Sequence, residues 1–379
     1  MSMTPPAPRS RAARRCRCPR NQGDQAMADE AAAIRIGILF DHRIDDGRSF
    51  EQIVQLGIDD VRQTGRLDRP VELVAEFGQG LPSGTAAEVE AAFARLDAAR
   101  VLAIIGPAIS DNGFVARDLC DAYELAAINY TGGEQTRSEW MFHYQVGSLE
   151  EEPFVLARHL ASRDLRTVAL AQDRSPIGRR YGSFFEEATA QLGIEIVARV
   201  ELSPVATDAT QQVAKLRRHE ADAFAYLGLG QSARPVSVAM AAGGWHPPAI
   251  ANSALMFAHA MVEWRKEYDG WVYCDAYSDR NPSLANLVAR LGPDASQYGK
   301  MMLAAAYDMG RLLAEGLAAA PRLDRRGVKE GLERVKLLPA ALGTPDTTMG
   351  FGCWERAALK GGYLVLRQWK NGESVEWRG

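Results

Sequence analysis

The stretch that most constrains this chain is residues 101–133, VLAIIGPAISDNGFVARDLCDAYELAAINYTGG. It opens on five apolar residues, 101–105, and Gly106-Pro107 stops them. The run is too short for a typical helix and predicts a strand buried on both faces. Ser110, Asp111 and Asn112 are all N-cap types, and Phe114, Val115, Leu119, Ala122 and Tyr123 continue at helical spacing. A second apolar run, 125–128, ends in Asn129-Tyr130-Thr131-Gly132-Gly133. The result is a strand–helix–strand unit whose strands both end in small polar residues. Ligands of open parallel sheets sit at the carboxyl ends of strands, where N–H groups of the next helix are free. The unit therefore predicts half of a small-molecule cleft.

The same alternation extends in both directions. Upstream, 34–40 and 71–77 read as strands, and 49–64 and 85–99 as helices. Phe50, Ile53, Val54, Gly57, Ile58 and Val61 share one face of the first helix. A short strand at 140–146 leads out of this set, and Glu150-Glu151-Glu152-Pro153 opens a helix with its acids in the first turn. Strands at 167–172, 194–202, 223–227, 249–251 and 271–274 then alternate with helices at 177–192, 208–219 and 232–242. Two consecutive sets of similar length predict an α/β fold of two doubly wound parallel-sheet lobes with a ligand cleft between them. Helices at 282–291, 297–318 and 326–335 follow. Met301, Met302 and Met309 on the long helix read as core packing. Asn371-Gly372 between apolar runs predicts a terminal hairpin.

Several function classes are excluded or disfavoured. The first strand ends in Asp41-His42-Arg43 where a dinucleotide fold would place G-x-G-x-x-G, and the spacing in Gly78-Gln79-Gly80 is wrong for a phosphate cradle. No G-x-S-x-G, H-E-x-x-H or paired-cysteine zinc spacing occurs, so no cofactor, no metal and no catalysis are expected. The five Cys are odd in number and scattered, with no disulfide framework. Residues 1–26 hold six Arg against one Asp, so the rest of the chain carries −9, the −4 of the whole less the +5 of this tail. An acidic body argues against nucleic acid as partner. The tail has no apolar core for a secretory signal, and disorder is expected over 1–33. As written the chain is expected in the cytosol. If translation starts at Met27, or if an export signal has been lost, a periplasmic location is open.

With this pattern on the page, four local features carry a resemblance. They are Ile105-Gly106-Pro107 with Ser110, the segment from Asp173 to Tyr181-Gly182, Ala305-Ala306-Tyr307-Asp308, and Gly362-Tyr363-Leu364-Val365 running to Trp369-Lys370-Asn371-Gly372. In this order the chain resembles the type 1 periplasmic binding proteins from Ile34 onward. The branch it is most similar to is that of the leucine/isoleucine/valine-binding proteins of ABC transporters, which includes cytosolic amide-sensing regulators. The resemblance implies three crossings between lobes, near 147, 276 and 345. One lobe would then hold 34–147 with 276–345, and the other 148–275 with 346–379. It implies hinge closure on an amino-acid-like, amide or aromatic-acid ligand, and a partner that is either an ABC transporter permease or a regulatory protein.

By position, the resemblance makes Ser110, Asn129, Tyr130, Thr131, Tyr181 and Tyr277 ligand contacts. Plainer roles are open for the same residues: Ser110 as a helix cap, Thr131 as turn chemistry, Tyr181 as packing inside a lobe. The family's amino-acid binders usually carry a Ser-Pro-x-x-Thr-like run where this chain has Asn129-Tyr130-Thr131-Gly132-Gly133. The stretch from Asp173 to Tyr181 also looks longer than the family's. An α-amino acid needs an acidic partner for its ammonium, and Asp45, Asp275 and Asp279 are the candidates by position. Phe114, Tyr130, Tyr144, Tyr181 and Tyr277 near the cleft favour an apolar or aromatic ligand.

Overall fold

Seven residues of near-continuous apolar character, Ile34–Phe40, form β1, an interior strand of the first sheet, and all but Arg35 are buried. The computed structural model describes residues 33–41, 50–292 and 299–378. The basic tail, Asp45 and the expected first residues of the helices at 49 and 297 lie outside the described residues. Helix α1 (Phe50–Gln63) buries Ile53, Val54, Gly57, Ile58 and Val61, the face its periodicity marks. Strand β2 (Val71–Phe77), α2 (Ala86–Ala98), β3 (Ile104–Ile105), α3 (Ser110–Tyr123), β4 (Ala127–Asn129) and β5 (Met141–His143) complete the first set. The sheet is parallel throughout, in the order β2-β1-β3-β4-β5.

The second set repeats this arrangement. Helix α4 (Glu152–Ser162) leads to β6 (Thr167–Asp173), α5 (Pro176–Gln191), β7 (Glu195–Leu202), α6 (Thr210–Arg217), β8 (Ala223–Leu227), α7 (Ala233–Ala242), β9 (Ala249–Ala251) and β10 (Val272–Asp275). Its order is β7-β6-β8-β9-β10, the same winding as the first sheet. Two 3-10 segments, Ser253–His259 and Val262–Tyr268, fill the connection before β10.

The chain then returns to the first lobe through α8 (Pro282–Leu291), α9 (Gly299–Ala319) and α10 (Arg325–Leu332). A small antiparallel sheet follows, made of β11 (Leu338–Pro339), β12 (Thr348–Met349) and β13 (Leu359–Lys360). The final crossing, expected near 345, comes later. Met349, Phe351, Ala358, Leu359 and Tyr363 are all buried in the first lobe's core. His143 and the 356–358 segment exchange backbone hydrogen bonds of 2.8 Å, which hold that segment to the edge of β5. Only with β14 (Val365–Lys370), which pairs antiparallel with β10, and β15 (Glu373–Glu376) does the chain rejoin the second sheet.

The first lobe is held by the crossing of α1 and α9, which approach so closely that only glycine fits at the contact. A Cβ on Gly57 would lie 2.2 Å from the Tyr307 carbonyl, and one on Gly310 would lie 2.1 Å from the Val54 carbonyl. Both obstructions are backbone, so no side-chain rotation relieves them. Gly310→Ala forces the helices apart, with an expected loss of about 2–3 kcal/mol. Chemical denaturation checks this, and a control such as Gly352→Ala, where the backbone is not left-handed and an added Cβ meets nothing closer than 3.6 Å, separates it from a general glycine effect.

Candidate functional site

The end of β1 places Asp41 where it reaches across to the loop after β3. One carboxylate oxygen accepts the N–H groups of Ala108 at 2.7 Å and Ile109 at 3.3 Å, and the other accepts the Asn112 amide at 2.5 Å. This changes the start of α3. The sequence offers Ser110, Asp111 and Asn112 as side-chain caps, yet the helix begins at Ser110, and Ile109 precedes it without any side-chain cap. The amides before the first turn are served from a different strand, and Asn112 turns to Asp41 and to the backbone of Leu81.

Asp173 at the end of β6 does the equivalent work in the second lobe. It accepts the Leu229 N–H at 2.6 Å, the Tyr226 hydroxyl at 3.2 Å and the Ser232 hydroxyl. Burial pushes its pKa above the usual carboxylate range, and these donors oppose the shift. Asn252, after β9, exchanges two hydrogen bonds with Gly228, at 3.2 and 2.9 Å. The loops at the carboxyl ends of the strands are thus tied by buried polar side chains in both lobes.

Between these strand ends lies a cavity of about 170 Å³. That is close to the ~150 Å³ of an engineered apolar cavity that takes up benzene. The first lobe supplies Phe40, Asp41, Ala108, Ile109, Ser110, Tyr130, Gly132 and Met302; the second supplies Ile177, Tyr181, Gly228, Leu229, Asn252, Ser253, Met256 and Phe257. Residues Val146, Gly147 and Leu149 of the first crossing close one side. The walls are mainly apolar, and among the described residues no Lys, Arg or His lines them. The lobes touch at this point. Leu149 donates its N–H to the Gly132 carbonyl at 2.8 Å, and a Cβ on Gly132 would sit 3.7 Å from the Tyr181 hydroxyl.

Of the six expected contacts, Ser110, Tyr130 and Tyr181 line the cavity. Ser110 is 3% exposed, and among the described residues its hydroxyl has no hydrogen-bond partner. Tyr130 stacks on Phe50 with ring centroids 5.1 Å apart. Asn129 and Thr131 are turned into the first lobe. The Asn129 carbonyl accepts the Thr131 hydroxyl at 2.9 Å, and its amide donates to the Phe142 carbonyl at 2.9 Å. Side chains alternate along a strand, so with Tyr130 on the cleft its two neighbours face the interior. Tyr277 also stands away from the cavity. The Arg367 guanidinium lies 3.8 Å from its ring centroid. Tyr144 donates to the buried Asp308 at 2.7 Å, and neither it nor Phe114 is part of the wall. Asp275 accepts the Ala276 N–H at 2.7 Å, and Asp279 pairs with Lys300 and Arg367. Neither acid reaches the cavity.

The sequence reading missed Asp41, Phe40, Met256, Phe257 and Glu152. Glu152, at the start of α4, is completely buried directly behind the wall. Its carboxylate accepts the Ser148 N–H at 2.7 Å, the Ser253 N–H at 2.7 Å, the Ser253 hydroxyl at 3.0 Å and the Tyr181 hydroxyl at 3.1 Å. It therefore fixes the orientation of the Tyr181 ring and of two wall segments. A Cβ on Gly147 would lie 2.5 Å from the Glu152 carboxylate and 2.8 Å from the Ser253 hydroxyl, so a larger residue there would displace this network. Burial raises the Glu152 pKa from 4.5 to about 7 despite these donors. Asp111, beside Ser110, is raised to about 6 by burial, partly offset by Arg179 of the second lobe.

The comparisons fit this geometry. A family model described as periplasmic binding protein matches residues 34–364. Among solved structures, a type 1 periplasmic binding protein of Bordetella pertussis superposes with a TM-score of 0.78 at 17% identity, covering 91% of this chain and 100% of that one. The leucine binding protein LivK of Thermotoga maritima gives 0.76 at 17% identity, covering 91% and 98%. The substrate-binding protein LivJ of Streptococcus pneumoniae, a branched-chain amino acid transporter component solved with isoleucine, gives 0.76 at 17% identity, covering 91% and 100%. At this identity the likeness is one of fold. No curated protein matches.

Both raised acids favour the protonated form in the folded protein. Their stabilising contribution is complete below the ordinary carboxylate range and is lost as pH rises, through about 6 for Asp111 and about 7 for Glu152. Asp111→Asn is therefore expected to stabilise the protein by about 1 kcal/mol at pH 8 and to change nothing at pH 4. Glu152→Gln is expected to flatten the fall in stability between about pH 5 and 8. Melting temperatures across pH for the three proteins check both expectations.

Proposed function

This chain belongs to the periplasmic binding protein family, and from that premise we propose that it captures a small molecule by hinge closure of its lobes, as the substrate-binding component of an ABC-type uptake system. The observation that carries the reading is the cavity itself. It lies at the carboxyl ends of the strands of both sheets, and each lobe contributes about half of its wall. A ligand seated there touches Ser110 and Tyr130 on one side and Tyr181 and Leu229 on the other, so its binding energy is complete only when the lobes meet.

Contacts that hinge opening would break accompany the cavity. They are the Leu149–Gly132 hydrogen bond and the approach of the Tyr181 hydroxyl to Gly132. The Arg180–Glu150 ion pair at 2.9 Å reinforces the second lobe's side of the gap, and the Glu134 N–H of the first lobe lies 3.5 Å from the same carboxylate. No bond is made or broken in this reading. The cavity selects an amino-acid-like, amide or aromatic-acid molecule by size and apolar contact, and releases it unchanged.

The test is titration of the purified protein, with any co-purified ligand removed and identified by mass spectrometry. Isothermal titration is run against branched-chain and aromatic amino acids, acids and amides. Binding is expected with a smaller radius of gyration in X-ray scattering of the complex. Tyr181→Ala is expected to weaken affinity by at least about tenfold through lost apolar area. Stoichiometric binding with no change in dimensions would remove the hinge from the reading, and chemical conversion of the ligand would remove the assignment as a binder.

A further inference from the structure

Resting on the reading of this cavity as the ligand site, we infer that His259 is a positioning residue for the cavity wall. A proton on its ring draws it onto Asp275 and tightens the cavity, so that ligand affinity is higher in mild acid than in mild base.

Two polar atoms are buried here without being satisfied. Asp275 ends β10 and is 1% exposed. One of its oxygens accepts the Ala276 N–H. The other has no hydrogen-bond partner among the described residues, and neither has Nε2 of His259. These two atoms face each other at 3.9 Å, too long for a hydrogen bond and short enough for an ion pair. Leaving either of them unpaired costs free energy. A protonated imidazole donates from both nitrogens and adds the attraction of opposite charge, which makes the bond roughly twice as strong as a neutral one. Imidazoles change charge between about pH 5 and 8. The neighbouring cations are committed elsewhere. Arg265 donates to the Ala258 and His259 carbonyls, both at 2.8 Å. Lys300 at the start of α9 and Arg367 of β14 both pair with Asp279. Of the phenols nearby, Tyr277 lies against the Arg367 guanidinium and Tyr273 shares a hydrogen bond with Ser374. Trp369, with its ring 5.0 Å from the imidazole, carries no charge at any of these pH values.

The place of the ring connects this pair to the cavity. His259 ends the 3-10 segment Ser253–His259, which carries Met256 and Phe257 into the wall. The first residue of α9 rests on the imidazole, since a Cβ on Gly299 would lie 2.7 Å from its Cγ, and α9 carries Met302 into the wall from the first lobe. Asp275 is the last residue of β10 before the second crossing, and Ala276 and Tyr277 already belong to the first lobe's core. The imidazole thus stands where a wall segment of one lobe, a helix of the other and a hinge strand meet. A shift of about 1 Å toward Asp275 completes a charge-assisted hydrogen bond. It pulls the 3-10 segment, with Met256 and Phe257, against the crossing. Loss of the proton removes that pull, and the wall segment relaxes.

The experiment follows binding and dimensions across pH. Leucine, phenylalanine and isovaleramide are titrated by calorimetry into the full chain at about pH 5.5 and about pH 8. X-ray scattering of the ligand-free protein is recorded at the same two values. The proteins are the wild type, His259→Gln, Asp275→Asn and the double variant, each shown to be folded by circular dichroism. Asp111 and Glu152 titrate in the same window, so the difference between wild-type and variant profiles carries the result. From the lower to the higher pH, the wild-type Kd is expected to rise at least about fivefold more than that of His259→Gln, the worth of one such bond. Asp275→Asn is expected to lose the same increment, and the double variant to lose nothing further. The ligand-free radius of gyration is expected to rise with pH more in the wild type than in His259→Gln. Equal pH responses of the wild type and His259→Gln overturn the inference while leaving the protein a small-molecule binder. Failure of all three compounds to bind overturns the reading of the cavity, and the scattering then decides the proton link at His259 by itself.

Discussion

Two buried carboxylates at equivalent strand ends organise this protein. Asp41 follows β1, and Asp173 ends β6; each strand lies between the same two neighbours in its own sheet. Each acid reaches over to the loop after the third strand of its lobe and accepts backbone N–H groups there. Burying a carboxylate costs several kcal/mol unless donors surround it. Once surrounded, it holds those donors in one geometry, because releasing any of them leaves a charge short of a partner. The cleft therefore inherits fixed rims from these buried hydrogen bonds.

The linkage between the lobes adds a third acid to this scheme. Glu152 sits just past the first crossing and gathers Ser148, Ser253 and Tyr181 onto one carboxylate. These groups come from the crossing itself, from the loop after β9 and from α5, so a single side chain sets three parts of the cavity wall relative to one another. The first lobe has a different anchor. Its helices α1 and α9 meet at Gly57 and Gly310, backbone against backbone, and α9 also carries Met302 into the cavity. Packing far from the cleft thus decides the depth of one wall.

The site was partly legible in advance. Ser110 and Tyr130 lie at strand ends of the central unit, where the rule for parallel sheets points, and both line the cavity. Tyr181 came from the resemblance. Asn129 and Thr131 were named with Tyr130 because a polar run at a strand end gives no direction for individual side chains. Strand alternation around Tyr130 would have turned both inward. Phe257 and Met256 stand on a 3-10 segment that has no amphipathic period to find. Glu152 read as one of three consecutive acids in a helix's first turn, a position that is normally solvated. Nothing local distinguishes a buried member from an exposed one.

Hydrophobic period and turn residues alone were enough to establish two α/β lobes, their order of strands and helices as far as α10, and the terminal hairpin, because burial of each element's own face dictates those choices; the small sheet of β11, β12 and β13 was not among them. Contacts between residues far apart in the chain decided the rest. The start of α3 was settled by Asp41 sixty-seven residues before Ala108, and the late final crossing by the seating of 349–363 on the first core. Which acids turn toward backbone amides, Asp41, Asp173 and Glu152, was decided in the same way. A carboxylate's partner is set by three-dimensional proximity, and one-dimensional spacing carries no record of it.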